Sequence, residues 1–147
     1  MSIAIHSEIS MTAAFQVLPF IATLDRFYPD VSYWYVNQVV PGLMTGNDKL
    51  LIARDGEHIA GVALGKFTPE ETKLRCVRVH PDYQNNGLGI RLIDEMLDLL
   101  EDDAPKVTVS EELIHHYSRI FINRYNFKLN HVSKGQYRPA KLEYLFN

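Results

Sequence analysis

The chain opens with apolar residues at every second position. In IAIHSEI, Ile3, Ile5 and Ile9 stand at odd positions among polar ones, which predicts a first strand. Ser10 and Thr12 are cap residues for a helix over 13–27, and Pro19 inside it should kink or split that helix. A second helix is expected over 31–40, ending at Pro41-Gly42. Residues 49–67 read as two strands joined at Asp55-Gly56, a pair suited to a tight hairpin turn. After the turn TPEE comes a third strand, 72–80. Its apolar residues Leu74, Cys76, Val77 and Val79 break strict alternation, which predicts a bulge.

From Gly89 the period changes to that of a helix. Ile93, Met96, Leu97 and Leu100 form an apolar stripe, with Arg91, Asp94, Glu95 and Asp98 expected to face water. KVTVS, 106–110, reads as a short strand. Ser110 is positioned to cap a helix over 111–125, with Glu111 and Glu112 in its first turn. Two last strands fit the segment 127–147, around Gly135-Gln136. The order β-α-α-β-β-β-α-β-α-β-β describes an α/β protein. It has a mixed sheet, an antiparallel meander and one crossover.

Composition narrows the setting more than the chemistry. With 147 residues and 46% apolar content, the chain suits one domain over 1–147 and not two ordinary ones. A net charge of −3 argues against a general polyanion binder. One cysteine, Cys76, excludes an internal disulfide and favours a reducing compartment. The first residues lack the pattern of a signal peptide, and no window is long and apolar enough to span a membrane. The expectation is a cytoplasmic protein.

The candidate chemistry sits in HPDYQNNGLGIRL, residues 80–92. Two glycines lie between a strand and a helix, where backbone amides and the helix dipole stabilise an anion. A nucleotide-binding Gly-Lys-Ser/Thr is excluded, because the loop ends Gly89-Ile90-Arg91. A dinucleotide fingerprint would need glycine where Leu92 stands. What remains is Gln84-x-x-Gly87-x-Gly89, with Val79 and Pro81 just upstream. This resembles the coenzyme A loop of the GNAT superfamily of N-acetyltransferases. The element order is similar to that family's along most of the chain.

The resemblance implies a mixed, mostly antiparallel central sheet flanked by helices, with a splayed pair of parallel strands around the coenzyme A loop. It implies acetyl-CoA as co-substrate. Amides of Gln84, Asn85, Asn86, Gly87, Leu88, Gly89 and Ile90 would hold its pyrophosphate. The backbone of Val77 and Val79 would pair with the pantetheine arm, and one of those amides would polarise the thioester carbonyl. Arg78 between them is either a ligand or a solvated arginine. No metal is implied.

The family's last helix often carries an Asn near its start, then a Tyr that protonates the leaving thiolate, then Gly-Phe. With Asn126-Phe127 in the Gly-Phe place, the Tyr position falls on Ile122 and the Asn position on His115. Isoleucine cannot donate a proton. Tyr117 and His115 are the alternative acids, and turnover without a dedicated acid is a third reading. For the base, some members place a Glu on the strand before the loop. That position is Lys73 here, which leaves Glu71, a water chain or no base. Cys76, with no adjacent base, reads as a packed core thiol.

The acceptor side would be built from the first two helices and last two strands, with Phe27, Tyr28, Tyr33, Trp34, Tyr35 and Tyr137 as core or pocket. Between Leu113 and Leu142 there is no Asp or Glu, yet Arg119, Arg124, Lys128, Lys134, Arg138 and Lys141 are present. The reading is an acyltransferase that moves acetyl from acetyl-CoA to a primary amine of a small molecule or peptide, by direct attack in a ternary complex. The alternatives are an acyl-CoA-binding regulatory module and an acetyltransferase of charged tRNA. A homodimer is compatible with all three.

Overall fold

The computed structural model describes residues 2–147. Seven strands form two sheets. The first has the order β1 (Ala4–Ser7), β2 (Asp48–Asp55), β3 (His58–Phe67) and β4 (Thr72–Val79), all antiparallel. The second has β5 (Val107–Ser110), β7 (Leu142–Phe146) and β6 (Leu129–Lys134), with β7 central and antiparallel to both. The sheets meet at one parallel bridge, Lys73 to Lys106. There Leu74 N donates to Lys106 O at 2.8 Å and Lys106 N to Thr72 O at 3.2 Å. Past that point β4 and β5 no longer pair. This is the splayed parallel pair, in a mixed and mostly antiparallel α/β fold.

The helices cover the two faces. On one lies α5 (Leu88–Leu100), whose Leu88, Leu92, Ile93, Met96, Leu97 and Leu100 are buried. Fully burying each such side chain contributes on the order of 2 kcal/mol. The other face carries α1 (Met11–Gln16), α2 (Leu18–Ala22), α3 (Val31–Trp34) and α4 (Val40–Thr45). α6 (Ile114–Arg119) packs beside the second sheet with Phe121 and Phe127.

Several expectations meet a different outcome. Ser10 caps α1, its side chain accepting from Ala13 N at 3.0 Å. Pro19 does split the helix, at Val17, but helical structure ends at Ala22 and not at Phe27. Ile9 lies outside β1 and is 68% exposed. The second helix does not stop at Pro41-Gly42. A π turn over Tyr35–Val39 joins α3 to α4, and the wider turn relieves the clash a proline ring has with the preceding carbonyl. Gly42 is needed inside that helix for room, because a Cβ there would stand 1.8 Å from Asp48 Oδ2. The hairpin turn falls on Gly56-Glu57, after β2 ends at Asp55.

Candidate active site

The bulge in β4 is present, and it shapes the site. Leu64 faces Cys76 and Gly65 faces Leu74, so Arg75 is the extra residue. It resets the alternation, which puts Leu74, Val77 and Val79 on the α5 face and Cys76 on the other. Farther along, His80 N donates to Ala60 O at 2.8 Å. Bonded residues alternate in an antiparallel ladder, so Arg78 also bonds toward β3. Val77 and Val79 therefore turn their amides to the open edge, where β5 has splayed away. Arg75 itself is held by Asp48 at 2.7 Å and lies over the Trp34 ring at 5.4 Å.

The split between β4 and β5 opens into a cleft of about 350 Å³. Leu74, Cys76 and Val77 line one wall; Val107, Val109 and Ser110 line the other. Of the six aromatic residues expected on the acceptor side, the structure sorts four into the lining, Tyr28, Tyr33, Trp34 and Tyr137. Tyr28 and Tyr137 meet edge to face with centroids 5.3 Å apart. Phe27 and Tyr35 are core residues, and the Tyr35 hydroxyl donates to Ala14 O at 2.6 Å. Cys76 stays a thiol, since burial pushes its pKa up to about 12.

The glycine loop continues from the open edge of β4. Asn85 and Gly87 take left-handed backbone, with φ of 66° and 82°, and fold the loop back into α5. The Gln84 side chain donates to Val79 O at 3.3 Å, and the Tyr83 hydroxyl to Asp55 at 2.9 Å. The first amide to bond back into the helix is that of Arg91, to Gly87 O. The Leu88 amide is engaged by Asn86 Oδ1 at 3.2 Å, and the Leu88 side chain is core. Gly89 and Ile90 keep their amides in the first turn, without an intrahelical acceptor. Gly89 is not needed for a turn: the nearest atom to a Cβ there would be Val79 Cγ2 at 3.7 Å. The space above it is open, as the approach of a diphosphate to bare backbone requires. The residues present therefore fit a coenzyme A pyrophosphate.

The last helix brings Tyr117, and not Ile122, to the cleft. After α6, a π turn over Ile120–Arg124 shifts the register before Asn126-Phe127. Tyr117 and Phe121 line the cleft, four residues apart and stacked at 5.7 Å. Ile122 is 44% exposed and faces away. Burial raises the Tyr117 pKa, so its hydroxyl keeps its proton at neutral pH. His115 is exposed on the outer face, with Nε2 at 3.3 Å from Arg119, and is not brought to the cleft.

The carboxylates are rearranged. Glu71 is ion-paired to Lys66 at 2.7 Å and Lys106 at 3.1 Å, beside the bridge that joins the sheets. Those lysines lower its pKa to about 2, which makes it a poor base, and it does not line the cleft. Ser110 does not cap a helix. It ends β5 with its hydroxyl buried and without a protein partner, because the strand pairs on to Glu143. Glu111 instead accepts from Leu142 N at 2.8 Å, and Glu112 pairs with Arg138. Asp94 is half-buried and accepts from the Tyr125 hydroxyl at 2.6 Å.

Glu143 was not singled out by its sequence context. It is 2% exposed, and neither carboxylate oxygen has a protein partner. Burial raises its pKa to about 7. The sequence LEYLF carries no signal of this burial, and Leu142 beside it is only half-buried. Among the described residues, no group of three or more His, Cys, Asp or Glu side chains is placed to hold a metal.

A splayed β4–β5 pair with a glycine loop at its mouth is a particular arrangement, and it has relatives. The sequence profile of the Acetyltransferase (GNAT) family matches residues 12–124. The chain belongs to that family. A GNAT-family protein from Desulfovibrio desulfuricans has a TM-score of 0.79 and 21% identity to this GNAT chain, over 99% of it and 97% of its own length. The ribosomal-protein-S18-alanine N-acetyltransferase of Escherichia coli has a TM-score of 0.71 at 17% identity, over 99% and 92%. The PaiA N-acetyltransferase of Thermoplasma acidophilum, solved with coenzyme A, has a TM-score of 0.69 at 14% identity, over 99% and 98%. No curated protein matches this GNAT chain by sequence. No helix of its described residues is long and apolar enough to cross a membrane.

Proposed function

We propose that the protein transfers acetyl from acetyl-CoA to a primary amine of a small molecule or peptide, by direct attack in a ternary complex. The observation that carries this reading is the continuous open edge of β4. The outward amides of Val77 and Val79 are followed, after a loop whose Tyr83, Gln84 and Leu88 amides are engaged internally, by the free amides of Gly89 and Ile90 at the start of α5. An extended pantetheine arm and its diphosphate need that sequence of donors. Tyr117, on the far wall, holds a proton for the leaving thiolate.

Similar architecture in the S18-alanine N-acetyltransferase supports an amine acceptor, and the coenzyme A complex of the PaiA enzyme supports the donor. A basic rim for charged tRNA finds less support. Two of its cations are already engaged, Arg124 with Asp94 and Arg138 with Glu112.

The test is calorimetric titration with acetyl-CoA, for the wild type and Gly89→Glu. A glutamate in the first turn favours the helix and has room, yet repels a diphosphate. Saturable binding by the wild type, weakened about 100-fold or more in the variant, supports the reading. Absence of wild-type binding would sink it.

A further inference from the structure

Strand pairing places Glu143 on the acceptor side of the second sheet. In the β5–β7 ladder Val107 faces Phe146, Val109 faces Tyr144 and Ser110 faces Glu143. Val107, Val109 and Phe146 pack into the core on the α5 and α6 side. Glu143 is an odd step from Phe146 along the strand, so it projects to the opposite face with Ser110. That is the face of Tyr28 and Tyr137, both lining the cleft. Glu143 stands behind this lining, not in it.

A carboxylate that is 2% exposed and unpartnered is costly to keep unless something answers it. Four charged groups act on it. Arg138, in the loop before β7, already makes two bonds to Glu112. Lys73 of β4 favours its charged form but is not within ion-pair distance. Glu111 and Glu112, after β5, disfavour that form. Tyr28 brings a hydroxyl and no charge, since burial raises its pKa far beyond neutrality, and Tyr137 lies edge to face against it. The neighbouring Ser110 hydroxyl is buried and equally without a protein partner. Among the described residues, the Glu143 carboxylate, the Ser110 hydroxyl and Arg138 Nε are buried without a protein partner, and Ser110, which lines the cleft, stands opposite Glu143 across the β5–β7 ladder.

We propose that Glu143, with Ser110, forms the amine subsite of the cleft, drawing in a primary ammonium carried on an apolar or aromatic chain and accepting its proton. This rests on the acetyl-transfer reading above. The ammonium loses a proton to the Glu143 carboxylate by way of the Ser110 hydroxyl, the one of the two that lines the cleft. The freed lone pair forms the nitrogen–carbon bond at the thioester carbonyl, and the carbon–sulfur bond breaks. The thiolate takes a proton from Tyr117, the second proton of the attacking nitrogen restores Tyr117 through water, and Glu143 releases its proton to water as the cycle resets. Net, one ammonium and one thioester give one amide, one thiol and one proton. A group that is half-protonated near pH 7 is able to take a proton and release it again.

The experiment follows thiol release from acetyl-CoA with ethylamine, butylamine and 2-phenylethylamine, across the neutral pH range. It uses the wild type, Glu143→Gln and Glu143→Asp. The wild type should turn over at least one amine, with kcat/KM rising with pH to a plateau above about 7. Glu143→Gln should lower kcat/KM about 100-fold and abolish that acidic limb, while its acetyl-CoA affinity stays at the wild-type value. Glu143→Asp should restore part of the rate and keep a limb. A wild-type rate and limb in Glu143→Gln overturns the proposal. So does a wild type that binds acetyl-CoA but turns over none of the three amines, an outcome that leaves the donor reading standing. No acetyl-CoA binding at all overturns both.

Discussion

Tyr117 and Ile122 differ by five positions and by everything that matters for proton transfer. Tyr117 lines the cleft, and burial raises its pKa, so its hydroxyl is protonated at neutral pH. Ile122 faces solvent at 44% exposure. Counting back from Asn126-Phe127 led to Ile122 because it assumed an unbroken α-helix. The π turn over Ile120–Arg124 invalidates that count. Tyr117→Phe should therefore lower kcat by about 10- to 100-fold and leave acetyl-CoA affinity unchanged. Adding Ile122→Tyr to that variant should recover nothing, since the new hydroxyl would stand on the wrong face. Steady-state thiol release on the single and double variants checks both. Recovery by the second substitution would assign the acid role to position 122 after all.

At the level of the element, β4 does two jobs on its two edges. Its inner edge is bonded to β3, and its outer edge is free beyond the Lys73–Lys106 bridge. A proline scan separates them. Val79→Pro removes an amide that no strand uses, so thermal stability should hardly change. The lost donor should weaken acetyl-CoA binding by roughly 5- to 10-fold, about 1 kcal/mol. Arg78→Pro removes a ladder bond and leaves its β3 acceptor unpaired, which should destabilise the fold by about 1–3 kcal/mol. Thermal melts and calorimetry on the pair distinguish the edges. Equal destabilisation by the two would mean that Val79 also bonds inward. This strand was also the most legible part of the chain. The spacing of Leu74, Cys76, Val77 and Val79 implied a bulge, and a resemblance carried by Gln84, Gly87 and Gly89 implied the splay beside it. The helix ends were less legible. Period alone could not reveal that π turns at Tyr35–Val39 and Ile120–Arg124 carry one helix past Pro41 and rotate the other. Ser110 read as a cap because Ser followed by two glutamates is a common helix start. Pairing with β7 overrode that local preference. Glu143 was invisible, since its burial arises only when β5, β7 and Tyr28 come together.

At the scale of the whole molecule, two of the displaced carboxylates, Glu71 and Glu143, have opposite effects on stability. Glu71 has its folded pKa lowered to about 2 by Lys66 and Lys106, so it contributes stability that is present above its unfolded value. That contribution disappears as pH falls from about 4.5 toward 2. Glu143 has its folded pKa raised to about 7 by burial. Between about 4.5 and 7 the unfolded chain has released that proton while the folded chain still holds it. The unfolded state then binds fewer protons, and stability falls as pH rises through this window. The loss is up to about 3 kcal/mol, from about 1.4 kcal/mol for each unit of displacement. As far as these two groups decide it, the fold is most stable near pH 4.5, below the pH at which the proposed base is ready. A site that ionises a buried carboxylate for chemistry gives up stability to do so, and an ammonium bound beside it should return part of that loss. Urea denaturation of the wild type from acid to neutral pH should show the decline. In Glu143→Gln, which keeps the shape without the charge, the decline should vanish and stability at neutral pH should exceed the wild type's. A wild-type profile that rises from pH 4.5 to 7 would mean that Glu143 finds a compensating cation in solution, and that its charge is already answered before any amine arrives.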